Sequence, residues 1–267
     1  MQNDKLFMPK ADYVTRFGVN NLGEWMWEEG TTHIDCSYKG YNKLPPFPAT
    51  LTHLWCNGNK LKALPDLPEG LQALSCDGNH LEELPTLPSS LAYLSCNDNN
   101  LTLLPDLPNS LQILSYGNHK LSRLPKLPAS LQALYCSHTT FKVLPELPSQ
   151  LKVLACPFNN LTELPDLPPE LVILDCTHNT GLTKLPNFPE TLTIAIMTDN
   201  RELLKLYPKL LNQYPALFFH KTIAETRNYV NSINAMRRKE NFDVDEILKE
   251  YRKTTFARIE CYKPLSD

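Results

Sequence analysis

The 267-residue chain has no run of about 18 apolar residues, so a membrane-spanning helix is not expected. Its N-terminus, MQNDKLFMPKADYVTRFGVN, lacks the apolar core of a secretory signal. Charge of one sign is also missing. A formal charge of −3 and a pI near 6.2 give no electrostatic case for nucleic acid or an anionic membrane surface. Motifs that carry chemistry are absent too: no phosphate-binding glycine loop, no H-E-x-x-H and no G-x-S-x-G. No C-x-x-C or C-x-x-H pair offers zinc a first foothold. No enzyme, cofactor or metal is readable.

What the chain has is a period. From Leu51 onward the register L-x-x-L-x-C-x-x-N-x-L-x-x-L-P-x-L-P-x-x recurs every twenty residues, opening at Leu51, Leu71, Leu91, Leu111, Leu131, Leu151 and Leu171. A strict period of this length predicts a solenoid, whose units bury a core only against their neighbours. An eroded first copy runs from Thr31 through Ile34, Cys36 and Leu44. The copy opening at Leu171 gains one residue, so Leu182 stands where position 181 is due, and a partial strand follows over Leu192 to Met197.

Cys36, Cys56, Cys76, Cys96, Cys136, Cys156 and Cys176 share one repeat position, with Tyr116 substituting once and Cys261 lying outside the series. Parallel strands about 4.8 Å apart hold such side chains side by side. A disulfide wants Cβ atoms nearer 3.5–4.5 Å and converging, so the column reads as reduced core. Reduced thiols point to an intracellular, reducing compartment. Asn59, Asn79, Asn99, Asn159 and Asn179 occupy the turn position, where the side-chain amide can satisfy buried backbone groups of adjacent coils. Lys39, His119 and Thr139 interrupt that ladder. The L-P-x-L-P return forbids a helix and favours an extended, polyproline-like outer face.

The expected fold is therefore α/β: a leucine-rich-repeat solenoid with one parallel sheet and a small helical C-terminal segment. Residues 1–30 form an N-terminal cap through Leu22, Trp25 and Trp27, because a solenoid end exposes raw core. Residues 31–197 form the solenoid. Residues 198–267 form the helical segment, with Ile223, Tyr229, Val230, Ile233 and Met236 at helical spacing, docked on the last coil. The basic triplet Arg237-Arg238-Lys239 is followed at once by acids, as on a solvated face.

The string LPDLPEGLQALSCDGNHLEELP resembles the bacterial-type leucine-rich repeat of type III secreted effectors, including the Yersinia outer protein M type and the invasion-plasmid-antigen ubiquitin ligases. The resemblance covers about residues 31–197. Those effectors usually carry valine where this chain carries cysteine. The cysteine form is similar to repeat proteins encoded by large DNA viruses of amoebae. The ligase branch implies a catalytic cysteine in a C-x-D motif, but the tail here reads Cys261-Tyr262-Lys263, with lysine where that motif has its aspartate.

Between the inward leucines and cysteines, strand residues should face an open sheet surface. One column runs His53, Ala73, Tyr93, Ile113, Ala133, Val153, Ile173; the next runs Trp55, Ser75, Ser95, Ser115, Tyr135, Ala155, Asp175. Aromatic residues of this kind anchor interfaces. The sequence thus predicts a non-enzymatic protein-interaction scaffold with an unidentified protein partner, binding through His53, Trp55, Tyr93, Ile113, Tyr135, Val153, Ile173 and Asp175. A structural component of a viral particle is the alternative, and an effector-type ligase fragment is a remoter one; for the face itself the alternatives are a neutral surface or a cover supplied by the chain's own tail.

Overall fold

The computed structural model describes residues 18–19, 25–117, 124–139, 141–192, 194–197, 199–200 and 202. A short antiparallel hairpin pairs β1 (Gly18–Val19) with β2 (Trp25–Met26). Nine strands then follow: β3 (His33–Asp35), β4 (His53–Trp55), β5 (Ala73–Ser75), β6 (Tyr93–Ser95), β7 (Ile113–Gly117), β8 (Ala133–Ser137), β9 (Val153–Ala155), β10 (Ile173–Asp175) and β11 (Ile194–Ile196). They make one sheet in strict chain order. Every pair is parallel, and from β3 to β10 residue i faces residue i+20. The twenty-residue period is thus the rise of one coil of a leucine-rich, parallel β-solenoid.

Alternation in each strand sends Leu54, Leu74, Leu94, Leu114, Leu134, Leu154 and Leu174 inward, where they meet the cysteines and the leucines of the return segment in one continuous core. No helix intervenes between strands in the described coils. Each return ends in a tight turn whose second proline accepts a hydrogen bond from the next opening leucine, as Pro68 O does from Leu71 N at 3.0 Å. Among the described residues the layers are therefore sheet and extended return. Apart from Asp199, Asn200 and Glu202, the segment 198–267 expected to be helical lies outside the described residues, as does Cys261.

The asparagines bind the coils at the turn. Asn79 donates through Nδ2 to the carbonyls of Cys56 and Cys76, both at 3.0 Å, and accepts from Leu61 N at 3.1 Å through Oδ1. Asn59, Asn99, Asn159 and Asn179 repeat the two donations. Asn200 extends the series by one coil, donating to Cys176 O and Met197 O at 3.0 Å each. This member is legible in Met197-x-x-Asn200, the spacing of Cys-x-x-Asn with methionine in the thiol position. Thr139, expected as a gap in the ladder, is tied in. Its hydroxyl and its backbone N–H both donate to Asn159 Oδ1, at 2.6 and 2.7 Å. Where the pattern erodes, β7 and β8 lengthen to five residues and add the pairs Tyr116↔Cys136 and Gly117↔Ser137.

All seven cysteines of the column are buried and unbridged. Burial pushes the Cys36 thiol up to about 12, with Asp35 adding to it, and raises those of Cys76 and Cys96 in the same way. Such thiols stay protonated and are poor nucleophiles. Tyr116 fills the one thiol vacancy. It is fully buried beside Phe141, with ring centroids 6.3 Å apart, and burial raises its phenol. At the N-terminal end Trp27 is buried in the same core cluster as Ile34 and Cys36.

Candidate protein-binding face

The strand positions that do not enter the core lie on the opposite face of the sheet, and the register stacks them in the two columns expected. The expectation that this face is open is corrected. Trp55 is 5% exposed, Tyr93 1%, Ile113 2%, Tyr135 7%, Val153 1%, Ile173 0% and Asp175 3%. His53 alone of the expected site residues is half-buried. Among the described residues, ten from Trp55 to Ile196 form a second apolar cluster separate from the leucine and cysteine core. Stacking at strand spacing shields a side chain only from its two neighbours, so burial this complete needs a cover over the face.

A hydrogen-bonded network runs along the edge of that face. Asn57 Oδ1 accepts from Ser75 Oγ at 2.9 Å and from Asp77 N at 2.8 Å. One coil on, the Asp77 carboxylate accepts from Ser95 Oγ at 2.8 and 2.9 Å and from Asn97 N at 2.7 Å. Asn97 Nδ2 then bridges Ser95 Oγ and Ser115 Oγ at 3.0 Å each. The network explains why serine can occupy the second column buried: each hydroxyl has a fixed partner eighteen residues away. It was missed in the sequence because its partners sit on different coils. The signal was Ser-Cys-Asp77 and Ser-Cys-Asn97, a serine two places before an amide or acid.

Two aromatic stacks flank the face. At the N-terminal end His33 and His53 lie ring on ring at 4.4 Å, and the His53 ring is nearly parallel to that of Trp55, with centroids 5.6 Å apart. Burial, with the charge of His33 adding to it, lowers the His53 imidazole to about 4. At the other end His138, Phe158 and His178 stack at 4.6 and 4.4 Å, and His178 Nε2 meets Asp199 Oδ2 at 3.0 Å. Phe158 thus separates two histidines that share a repeat position. Among the described residues no group of three or more His, Cys, Asp or Glu side chains is placed to hold a metal ion. Tyr38, Asp98, His138, Phe158, His178 and Asp199 take the left-handed conformation that Gly58 and Gly78 occupy in their own coils.

No family model matches the chain, and no curated relative does. Among solved structures it is similar to YopM from Yersinia enterocolitica WA-314, at 28% identity and a TM-score of 0.47, over 63% of this chain and 46% of that one. It is similar to YopM, a leucine-rich effector protein from Yersinia pestis, at 31% identity and a TM-score of 0.46, over 62% of this chain and 59% of that one. A Shigella effector LRR domain is 30% identical with a TM-score of 0.42, over 49% of this chain and 60% of that one. The chain spans less than two thirds of the length of each of these structures.

Proposed function

We propose that this protein is a non-enzymatic scaffold that holds a protein partner against the strand face of its solenoid. The observation that supports it is the second apolar cluster. Eight successive strands present side chains that contribute nothing to the core, yet are aromatic or aliphatic at most positions. A solenoid does not need them for its own coils, because neighbour contacts already close the core on the other face. Trp55, Tyr93 and Tyr135 are the residue types that concentrate binding energy, and Ile113, Val153 and Ile173 supply the apolar floor between them. His53 and Asp175 mark the two polar ends. The buried thiols, held protonated by burial, fit a structural part rather than a catalytic one.

The test is binding. A partner recovered from cell extract and then purified should bind the parent chain, and Trp55→Ala with Tyr135→Ala should weaken it by about tenfold or more. Circular dichroism should be unchanged. Equal affinity for parent and double variant removes the strand face as the interface.

A further inference from the structure

The strand face is buried, but not evenly. His33, Asp35 and His53, at the end where the chain enters the sheet, are half-exposed. Every described position of both columns from Ala73 to Ile196 is buried. The shielding holds from Trp55 through Ile196 and thins only at His33, Asp35 and His53, where the chain enters. No described element lies over the face: β1 and β2 pair with each other, and the rest is the sheet itself. The cover has to be sought beyond the described coils, on the C-terminal side.

Sixty-seven residues follow Asn200. The strongly covered stretch, β5 to β11, is six strand spacings, about 29 Å. A helix of about twenty residues is that long, so this segment has ample length. It also has the right surface: Tyr229, Ile233 and Met236 recur at i, i+4 and i+7, the stripe an amphipathic helix lays into an apolar groove. Charge agrees. Residues 201–267 carry thirteen lysines and arginines against nine acids, and residues 1–200 carry thirteen against twenty. The seventeen residues before β1 fit poorly, since they join the solenoid at the end where shielding is thinnest.

We propose that residues 201–267 dock on the strand face as an intramolecular occupant, so that a protein partner gains the face only by displacing the chain's own tail. The regulatory half of this inference rests on the reading of that face as the partner site; the docking half does not. An occupied face lowers apparent partner affinity by the fraction of chains that are open. A tail that docks in a chain recruiting no partner would therefore refute only the scaffold reading.

Thiol accessibility in the full-length chain tests the docking. Ala133→Cys places a thiol on the covered face, in a Cys261→Ser background, and the seven buried ladder cysteines report on the solenoid itself. The thiol at position 133 should be protected in native protein. Adding Tyr229→Asp and Ile233→Asp should speed its labelling by about tenfold or more while the ladder cysteines stay unreactive. Rapid labelling with the tail intact, or protection that the tail substitutions leave untouched, overturns the proposal. If the ladder thiols react as well, the unmodified chain decides. In dilute protein a short lysine-reactive cross-linker should join Lys152, beside β9, to lysines of 201–267 in the same chain. Links from Lys152 to Lys5 or Lys10, links to a second copy, or no link to that segment each overturn it.

Discussion

The two faces of the sheet are built on opposite rules. The inner face repeats almost without variation: leucine, cysteine and asparagine recur at fixed positions because each coil's neighbour is another copy of itself. The strand face holds Ala73, Tyr93, Ile113, Ala133 and Val153 in one column, side chains of very different size at equivalent places. A surface that meets copies of itself can be periodic. The strand face varies from coil to coil, and both are buried all the same. Burial alone therefore does not distinguish the two faces; periodicity does.

The comparison breaks first on the inner face. Leu94→Ala should cost about 2–5 kcal/mol, because a fully buried leucine leaves a cavity between coils that cannot collapse. Chemical denaturation should show it as a lower midpoint. Ala133→Ser, equally buried but on the strand face, should cost well under that. Equal losses would make the two faces one core.

Asn79→Ala is expected to cost about 1–3 kcal/mol, since it strips donors from Cys56 O and Cys76 O and the acceptor from Leu61 N. The loss should be read by hydrogen exchange as faster exchange at Leu61 than in coils further along. Unchanged protection would mean that water replaces the amide.

The smallest effect sits at the thin end of the strand face. His53 has an imidazole lowered to about 4 in the folded chain, against 6.5 when unfolded. As pH falls below about 6.5 the unfolded chain takes the proton first, so stability contributed above that pH is lost progressively toward pH 4. Half-exposure and solvent screening keep the slope modest. His53→Gln should flatten the acid limb of a stability–pH curve, and an unchanged limb would assign the slope to carboxylates instead.

The inner face was legible because it is local. A leucine or cysteine every twenty residues fixes strand, register and core without knowledge of anything else. Asn200 slipped by because the residue gained in the coil opened by Leu171, which displaces Leu182, shifts the register. The bonds from Ser95 to Asp77 and from Asn97 to Ser115 slipped by because each joins residues of different coils that look unremarkable alone. Thr139 read as a break, yet its hydroxyl reaches the next asparagine. The strand-face columns were found residue by residue, but their burial was not. Which side chains share a face follows from alternation; what lies on that face does not follow from the repeat.

Two tryptophans allow the most direct test, one on each face. Trp27 belongs to the inner core and Trp55 to the strand-face cluster. In single-tryptophan chains, with the other tryptophans changed to phenylalanine, acrylamide should quench neither residue in the native protein. With Tyr229→Asp and Ile233→Asp added, Trp55 should become quenchable while Trp27 stays shielded. Quenching of Trp55 with the tail intact, or a response shared by both tryptophans or by neither, would contradict a face sealed by a removable cover.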